Sequence, residues 1–229
     1  VDYRAVLKKA LSGGGAYADV FIERSASFSL ACEDSRIEKA VSGLDAGAGV
    51  RLIFGNRTAY AYTNEISTAS LLEAADAVLQ AARGEPVPAE IDLRRKRPRY
   101  DFVVLKAPEE VDAASKTAMV LKADRVSRSF DRRIRQALVS YREHRQQVLI
   151  ATSDGLLAQD DRRYLTALVH VVAADGDVVQ TGYESVGGNT GMELFDHEPL
   201  EGAAETAARR AVMMLSARKA PAGRMAVVL

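Results

Sequence analysis

A chain of 229 residues can hold one large domain or two small ones, each with a proper core. Lysine plus arginine and aspartate plus glutamate balance at 31 each, so no general nucleic-acid surface is expected, and the single cysteine, Cys32, excludes an internal disulfide and a cysteine-built zinc cage. No apolar run approaches the ~18 residues that span a bilayer, and Asp2, Arg4, Lys8 and Lys9 leave no apolar signal region at the start, so the expectation is a soluble cytoplasmic protein with no membrane partner.

Tyr3, Val6, Leu7, Ala10 and Leu11 recur at helical spacing and predict an amphipathic helix, ended by Gly13, Gly14 and Gly15. Four strands are predicted between residue 18 and about 63. Val20 and Ile22 alternate with charged neighbours, Phe28 and Leu30 continue, and 37–41 precede a hairpin. In that hairpin Val50, Leu52 and Phe54 share a face, as do Tyr60 and Tyr62 after the turn pair Gly55 and Asn56. Gly47 and Gly49 leave one face of the incoming strand bare, which implies a bulge or a close backbone approach. Cys32 reads as a small apolar filler. A second helix is expected over about 67–83, with Leu71, Leu72, Ala75, Val78, Leu79 and Ala82 as its stripe.

Residues 85–107 have another character. Prolines bracket the basic run 94–97, little periodicity survives, and a solvated linker is expected. The second half then repeats the plan of the first. Pro108 should start a helix with Val111, Ala114, Ala118 and Leu121 inward, and strands are expected near 134–141, 148–152, 164–174 and 178–185. Asp154-Gly155 and Asp175-Gly176 mark hairpin turns, and a last helix from about Pro199 buries Leu200, Ala204, Ala207, Ala211 and Met214. The fold class is therefore α+β: two similar lobes, about 1–84 and 108–218, each a helix, antiparallel strands and a helix.

Little in the side chains promises chemistry. His144, His170 and His197 match no local zinc spacing. His144 is placed at a turn, His170 packed and hydrogen-bonded in a strand, and His197 ahead of a helix. The carboxylate pairs Glu33 and Asp34, Glu109 and Glu110, and Asp160 and Asp161 read as solvated strand ends or helix starts, and the arginine-rich stretch 124–135 as a solvated helix end. Gly187, Gly188, Asn189 and Gly191 form a glycine-rich loop without the ending of a phosphate loop, which reads as a flexible connector. No catalytic and no metal-ligating residue is assigned.

The order of the pieces is more specific than their physics. Gly47, Gly49 and Arg51, then Gly55, the aromatic strand and Asn64-Glu-Ile-Ser resemble the N-terminal half of the TldD/PmbA family. So do Tyr17-Ala-Asp-Val-Phe, Glu33-Asp-Ser-Arg-Ile, Thr152-Ser-Asp-Gly, Leu215-Ser-Ala-Arg and the ending Ala220-Pro-Ala-Gly-Arg-Met, the last on the TldD side. Members were first described as modulators of DNA gyrase and later as subunits of a zinc metalloprotease. The resemblance implies a non-catalytic domain over 1–220, with 221–229 the first strand of a catalytic domain that holds the zinc. It also implies pairing with a homologous subunit and a peptide or unfolded-protein substrate. The loop of Gly187, Gly188, Asn189 and Gly191 would border the groove by which that peptide reaches the metal. A module that modulates gyrase, or a zinc-free PmbA-like partner, are the alternatives.

Overall fold

Two three-stranded meanders, each backed by a pair of helices, make up the computed structural model, which describes residues 1–81, 90–96, 102–220 and 222–226. The first half runs α1 (Tyr3–Leu11), β1 (Tyr17–Glu33), β2 (Arg36–Phe54), β3 (Arg57–Thr63) and α2 (Thr68–Ala81). The second follows β4 (Arg94–Lys96) and a 3-10 turn (Pro108–Glu110) with α3 (Ala113–Ser129), β5 (Ile134–Thr152), β6 (Leu156–Asp175), β7 (Val178–Gly188), α4 (Leu194–His197) and α5 (Leu200–Met214). The expected α+β class holds.

The halves share one sheet. β1 pairs antiparallel with β5 from Asp19 opposite Thr152 to Glu33 opposite Leu138, giving the order β3-β2-β1-β5-β6 with β7 and β4 on the outer edge of β6. Part of the expected linker joins this sheet: β4 pairs in parallel with 156–158 and Ile91 is buried. The prolines at 86, 88 and 98 lie outside the described residues, as do 227–229 of the expected final strand. Met225, also assigned to that strand, is exposed and in no strand.

Among the described residues each half forms a meander of three strands rather than four, because β1, β2, β5 and β6 run 17 to 20 residues without interruption. His144, expected at a turn, therefore sits in the middle of β5, opposite Ser27 and Tyr164. The turns fall at Gly55, Gly155 and Gly176, all at positive φ, and at Asp34 and Ser35, which take φ of 50° and 59° without glycine.

All four long helices lie on one face. Alternate residues of β1 (Ala18, Val20, Ile22) enter a core with α1 and α2, while Leu30 and Cys32 enter a second core with α3 and α5. Cys32 is fully enclosed, and burial, then Asp124, pushes its thiol up to about 11, which makes it an inert filler. Among the described residues no helix lies on the other face.

α3 departs most from expectation. It starts at Ala113, where the Asp112 carboxylate accepts the Ser115 N–H at 2.9 Å, and Ala114 and Ala118 are exposed. Its inward face is Lys116, Val120, Ala123, Asp124 and Ser127. The stretch read as a solvated helix end thus begins with a fully buried carboxylate. Asp124 accepts Ser35 Oγ at 2.8 Å and Arg128 Nε at 3.0 Å, and Arg128 reaches Asp34, so the pair Asp34 and Ser35 is fastened to α3. Polar residues point inward here because each finds a partner, and apolar periodicity alone pointed to the wrong side.

Candidate functional site on the open face

Successive residues of a strand point to opposite faces, so Tyr17, Asp19, Phe21 and Glu23 of β1 lie on the face away from the helices. The pairing register sets Arg51 beside Asp19, Gly49 beside Phe21 and Gly47 beside Glu23, and then Tyr60 beside Arg51 and Tyr62 beside Gly49. Residues from separate sequence motifs thus converge on one patch. Arg51 donates through Nε and Nη2 to Asp19 Oδ2 at 2.7 and 2.6 Å, and Asp19 is 8% exposed. Thr152 and Asp154 close the patch by a hydroxyl–carboxylate hydrogen bond, and Ser153 clasps Ala18 through both its backbone N–H and its hydroxyl. Burial, then Asp19 and Asp154, pushes the Tyr17 phenol up.

Beyond this cluster the bare glycines form the floor of a trough of about 350 Å³. Tyr60 and Tyr62 stand at its wall, 59% and 76% exposed, with ring centroids 6.4 Å apart. The Tyr60 ring lies where a Gly49 side chain would be: a Cβ there would meet its hydroxyl at 2.2 Å. The expected close approach at the glycines is thus made by a tyrosine. Glu23 and Asp45 line the same trough.

A larger cleft of about 570 Å³ lies on the helix face, in the gap between the two cores. Phe28, Leu44 and Pro108 supply its apolar lining. At its lip Glu109 pairs with Arg163 at 2.6 Å and Arg145 at 3.1 Å, and Asp161 pairs with Arg145 at 2.6 Å. Burial alone would raise Glu109, but Arg163 and then Arg145 hold it below the ordinary carboxylate range. Glu109 and Asp161 are therefore members of an ion network that links the 3-10 turn to β5 and β6, not isolated solvated ends. Two carboxylates against two guanidiniums leave the lip neutral.

The glycine-rich segment is brought to neither cavity. Gly187 and Gly188 pair with Thr166 and Leu165 as the end of β7, so the flexible connector expected there is a strand end and a packed turn. Asn189 Oδ1 is buried without a hydrogen-bond partner among the described residues. Gly191 passes under the chain at Lys106, where a Cβ would meet the Lys106 carbonyl at 2.3 Å. Glu193, unmarked in the sequence reading, organises this turn by accepting from Lys106 N at 2.8 Å, Leu105 N at 3.2 Å, Gly191 N at 2.9 Å and Thr190 Oγ1 at 2.9 Å.

Burial alone would raise the Glu193 pKa, but the backbone N–H groups outweigh it and hold the carboxylate at about 2, against an ordinary 4.5. A depressed folded pKa gives stability that is present above the unfolded value and lost as pH falls through the folded one. Glu193→Gln should therefore cost about 2–3 kcal/mol at pH 7, and the gap to the parent should narrow as pH falls from 4.5 towards 2. Urea melts of both proteins at pH 7 and pH 3 check this; a pH-independent gap would be contrary.

The histidines do not meet. His144 lies 6.2 Å from the Tyr164 ring, and His170 sits half-exposed in β6 opposite Leu138 and Tyr183, with no side-chain hydrogen bond to described residues, contrary to its expected packing. His197 ends α4, ahead of α5 as expected. Among the described residues no three His, Cys, Asp or Glu side chains are placed to share a metal ion. The described residues offer no side-chain cluster that fits a zinc.

Comparison with known proteins agrees with the motif reading. Residues 18–82 match PmbA/TldA metallopeptidase domain 1, and residues 106–215 match the PmbA/TldA metallopeptidase central domain. A metalloprotease TldD homologue of Haemophilus influenzae is 31% identical over 223 residues, covering 93% of this chain and 46% of its own length. The chain thus spans about half the length of the curated relatives it matches. A Bacteroides thetaiotaomicron protein described as a proposed modulator of DNA gyrase superposes with a TM-score of 0.72 at 15% identity, covering 95% of this chain and 50% of its own. TldE from Thermococcus kodakarensis superposes with a TM-score of 0.63 at 16% identity, over 93% of this chain and 46% of its own. These two likenesses show a shared fold.

Proposed function

The chain belongs to the PmbA/TldD metallopeptidase family, and from that premise we propose that it forms the non-catalytic N-terminal half of a TldD-like zinc metallopeptidase. The observation that carries this is the consecutive match to domain 1 and the central domain, together with the 46% of the TldD homologue that the chain covers. In this reading residues 1–220 are a supporting domain and 221–229 lead into the peptide-cleaving one. Zinc and the groups that use it would then belong to the portion of the relatives that this chain does not match.

The open face suits a supporting role. Ile150, Leu168, Val172 and Tyr183 share it by register, and no described helix covers them. We assign it to pairing with a homologous subunit, and the likeness to TldE supports a TldE-type partner. The turn of Gly187, Gly188, Asn189 and Gly191 is retained as a border of the peptide's route. No described helix is long and apolar enough to cross a membrane, and a cytoplasmic setting is part of the proposal. The description of the Bacteroides neighbour favours a second reading, a binding module that acts on gyrase. The balance of 31 basic and 31 acidic residues speaks against a DNA surface in it.

Metal analysis and a peptidase assay on the purified chain test the assignment. The expected result is less than stoichiometric zinc and no cleavage of unfolded casein. Stoichiometric zinc, with hydrolysis lost on chelation, would place the catalytic centre within these residues and overturn it.

A further inference from the structure

We propose that the trough beneath Tyr60 and Tyr62 is a receptor for a cationic side chain, an arginine or lysine carried on an extended segment of a partner protein. This goes beyond subunit pairing and does not depend on it. The trough opens where β3 runs out: Thr63 pairs with Ala48, and the edge of β2 before Ala48 has no β3 partner. Its floor is the backbone around Gly47, beside the Tyr60 ring that covers Gly49, so a long side chain can lie on that floor against the ring.

The electrostatics select the sign of the occupant. Glu23 and Asp45 line the trough, and neither forms an ion pair among the described residues. Arg51, the nearest cation along the register, is already committed to Asp19 at 2.6 Å. The two tyrosines add exposed ring faces, which attract a guanidinium or ammonium through the ring quadrupole. Two carboxylates without cations beside two exposed rings match a basic side chain and repel an acidic one. The helix-face cleft offers no comparable match, since its arginines and carboxylates neutralise each other.

The test is a titration of the full chain with an acetylated, amidated Gly-Arg-Gly-Arg-Gly peptide and its citrulline counterpart. Tyrosine ring resonances are followed by NMR, with Tyr60 and Tyr62 assigned through their phenylalanine variants. The expected result is a saturable shift of both rings with the arginine peptide. Affinity should be about tenfold weaker for citrulline and for Glu23→Gln/Asp45→Asn, and should decline as salt rises. Gly49→Ala supplies a variant that leaves both carboxylates intact. Its Cβ displaces the exposed Tyr60 ring, and binding should weaken without loss of folded spectra. Equal affinity for the citrulline peptide, indifference to the double charge variant, or no saturable shift up to about 20 mM peptide would each overturn the proposal.

Discussion

Gly182→Ala is expected to cost the protein about 3 kcal/mol, a fall in melting temperature of roughly 6–12 °C for a chain of this size. Gly182 lies in β7 opposite Val171, on the face that α5 covers. A Cβ there would meet the Ala207 carbonyl oxygen at 2.2 Å and the Ala211 nitrogen at 2.6 Å. Both are helix backbone and cannot swing aside, so α5 would have to lift off the sheet. It sits so close because its inward face is alanine: Ala203, Ala204, Ala207, Ala208 and Ala211 are all buried. Gly202 makes the internal control. It lies in the same helix, and a Cβ there meets nothing within 4 Å. Gly202→Ala should raise stability by about 0.5–1 kcal/mol through helix propensity. Urea melts followed by circular dichroism would separate the two, and equal effects would refute the close-approach account.

The second large effect belongs to Lys116. Its side chain is only 5% exposed, its Nζ lies 2.7 Å from Glu143 Oε2, and it stands 5.0 Å from the Phe28 ring centroid. Glu143 also accepts the Tyr141 hydroxyl, and burial followed by Glu143 pushes that phenol's pKa well up, so it stays a donor. Lys116→Met keeps the bulk but strands a buried carboxylate, at an expected cost of about 3–5 kcal/mol. Glu143→Gln alone strands the ammonium. The double variant removes both charges and still offers an acceptor to Tyr141, so it should recover much of the loss, a coupling of about 1–3 kcal/mol. Strict additivity among the four proteins would show that the pair is not coupled.

The parts of the fold legible in the sequence are those with one buried face. α1, α2 and, apart from Met214, which was expected in its stripe and is exposed, α5 declared themselves because their apolar residues recur at helical spacing against a single core. The turns at Gly55, Gly155 and Gly176 were marked by glycines that take positive φ. The long strands were not legible as single elements, and the reason is spatial. Their middles cross the gap between the two cores, where neither face is covered by a helix. Arg24, Ser25, Ala26 and Ser27 in β1, the stretch 144–147 in β5 and 159–163 in β6 are mostly polar on both faces there. Alternation fades in mid-strand, and one strand reads as two.

The candidate site was legible only as separate motifs. Tyr17-Ala-Asp-Val-Phe and the run Gly47, Gly49, Arg51 stood out as segments, but the Asp19–Arg51 pair exists only in the β1–β2 register. The trough needs three strands at once, since Glu23, Asp45 and Tyr62 come from β1, β2 and β3. Glu193 carried a faint signal, a glutamate two residues after Gly191 in a segment otherwise poor in charge. Lys116 and Asp124 carried a misleading one, since charges on a helix normally mark its solvated side.

The measurement that bears most directly on the proposed role is the mass of the species formed when the chain is mixed with a TldE-type subunit, read by light scattering on a sizing column. A one-to-one complex is expected. Leu168→Glu and Tyr183→Glu on the open face should disrupt it, while Arg125→Glu, exposed on α3, should leave it intact. A chain that remains alone at about 50 µM of each protein, or a complex indifferent to the open-face substitutions, would contradict the assignment of that face to pairing.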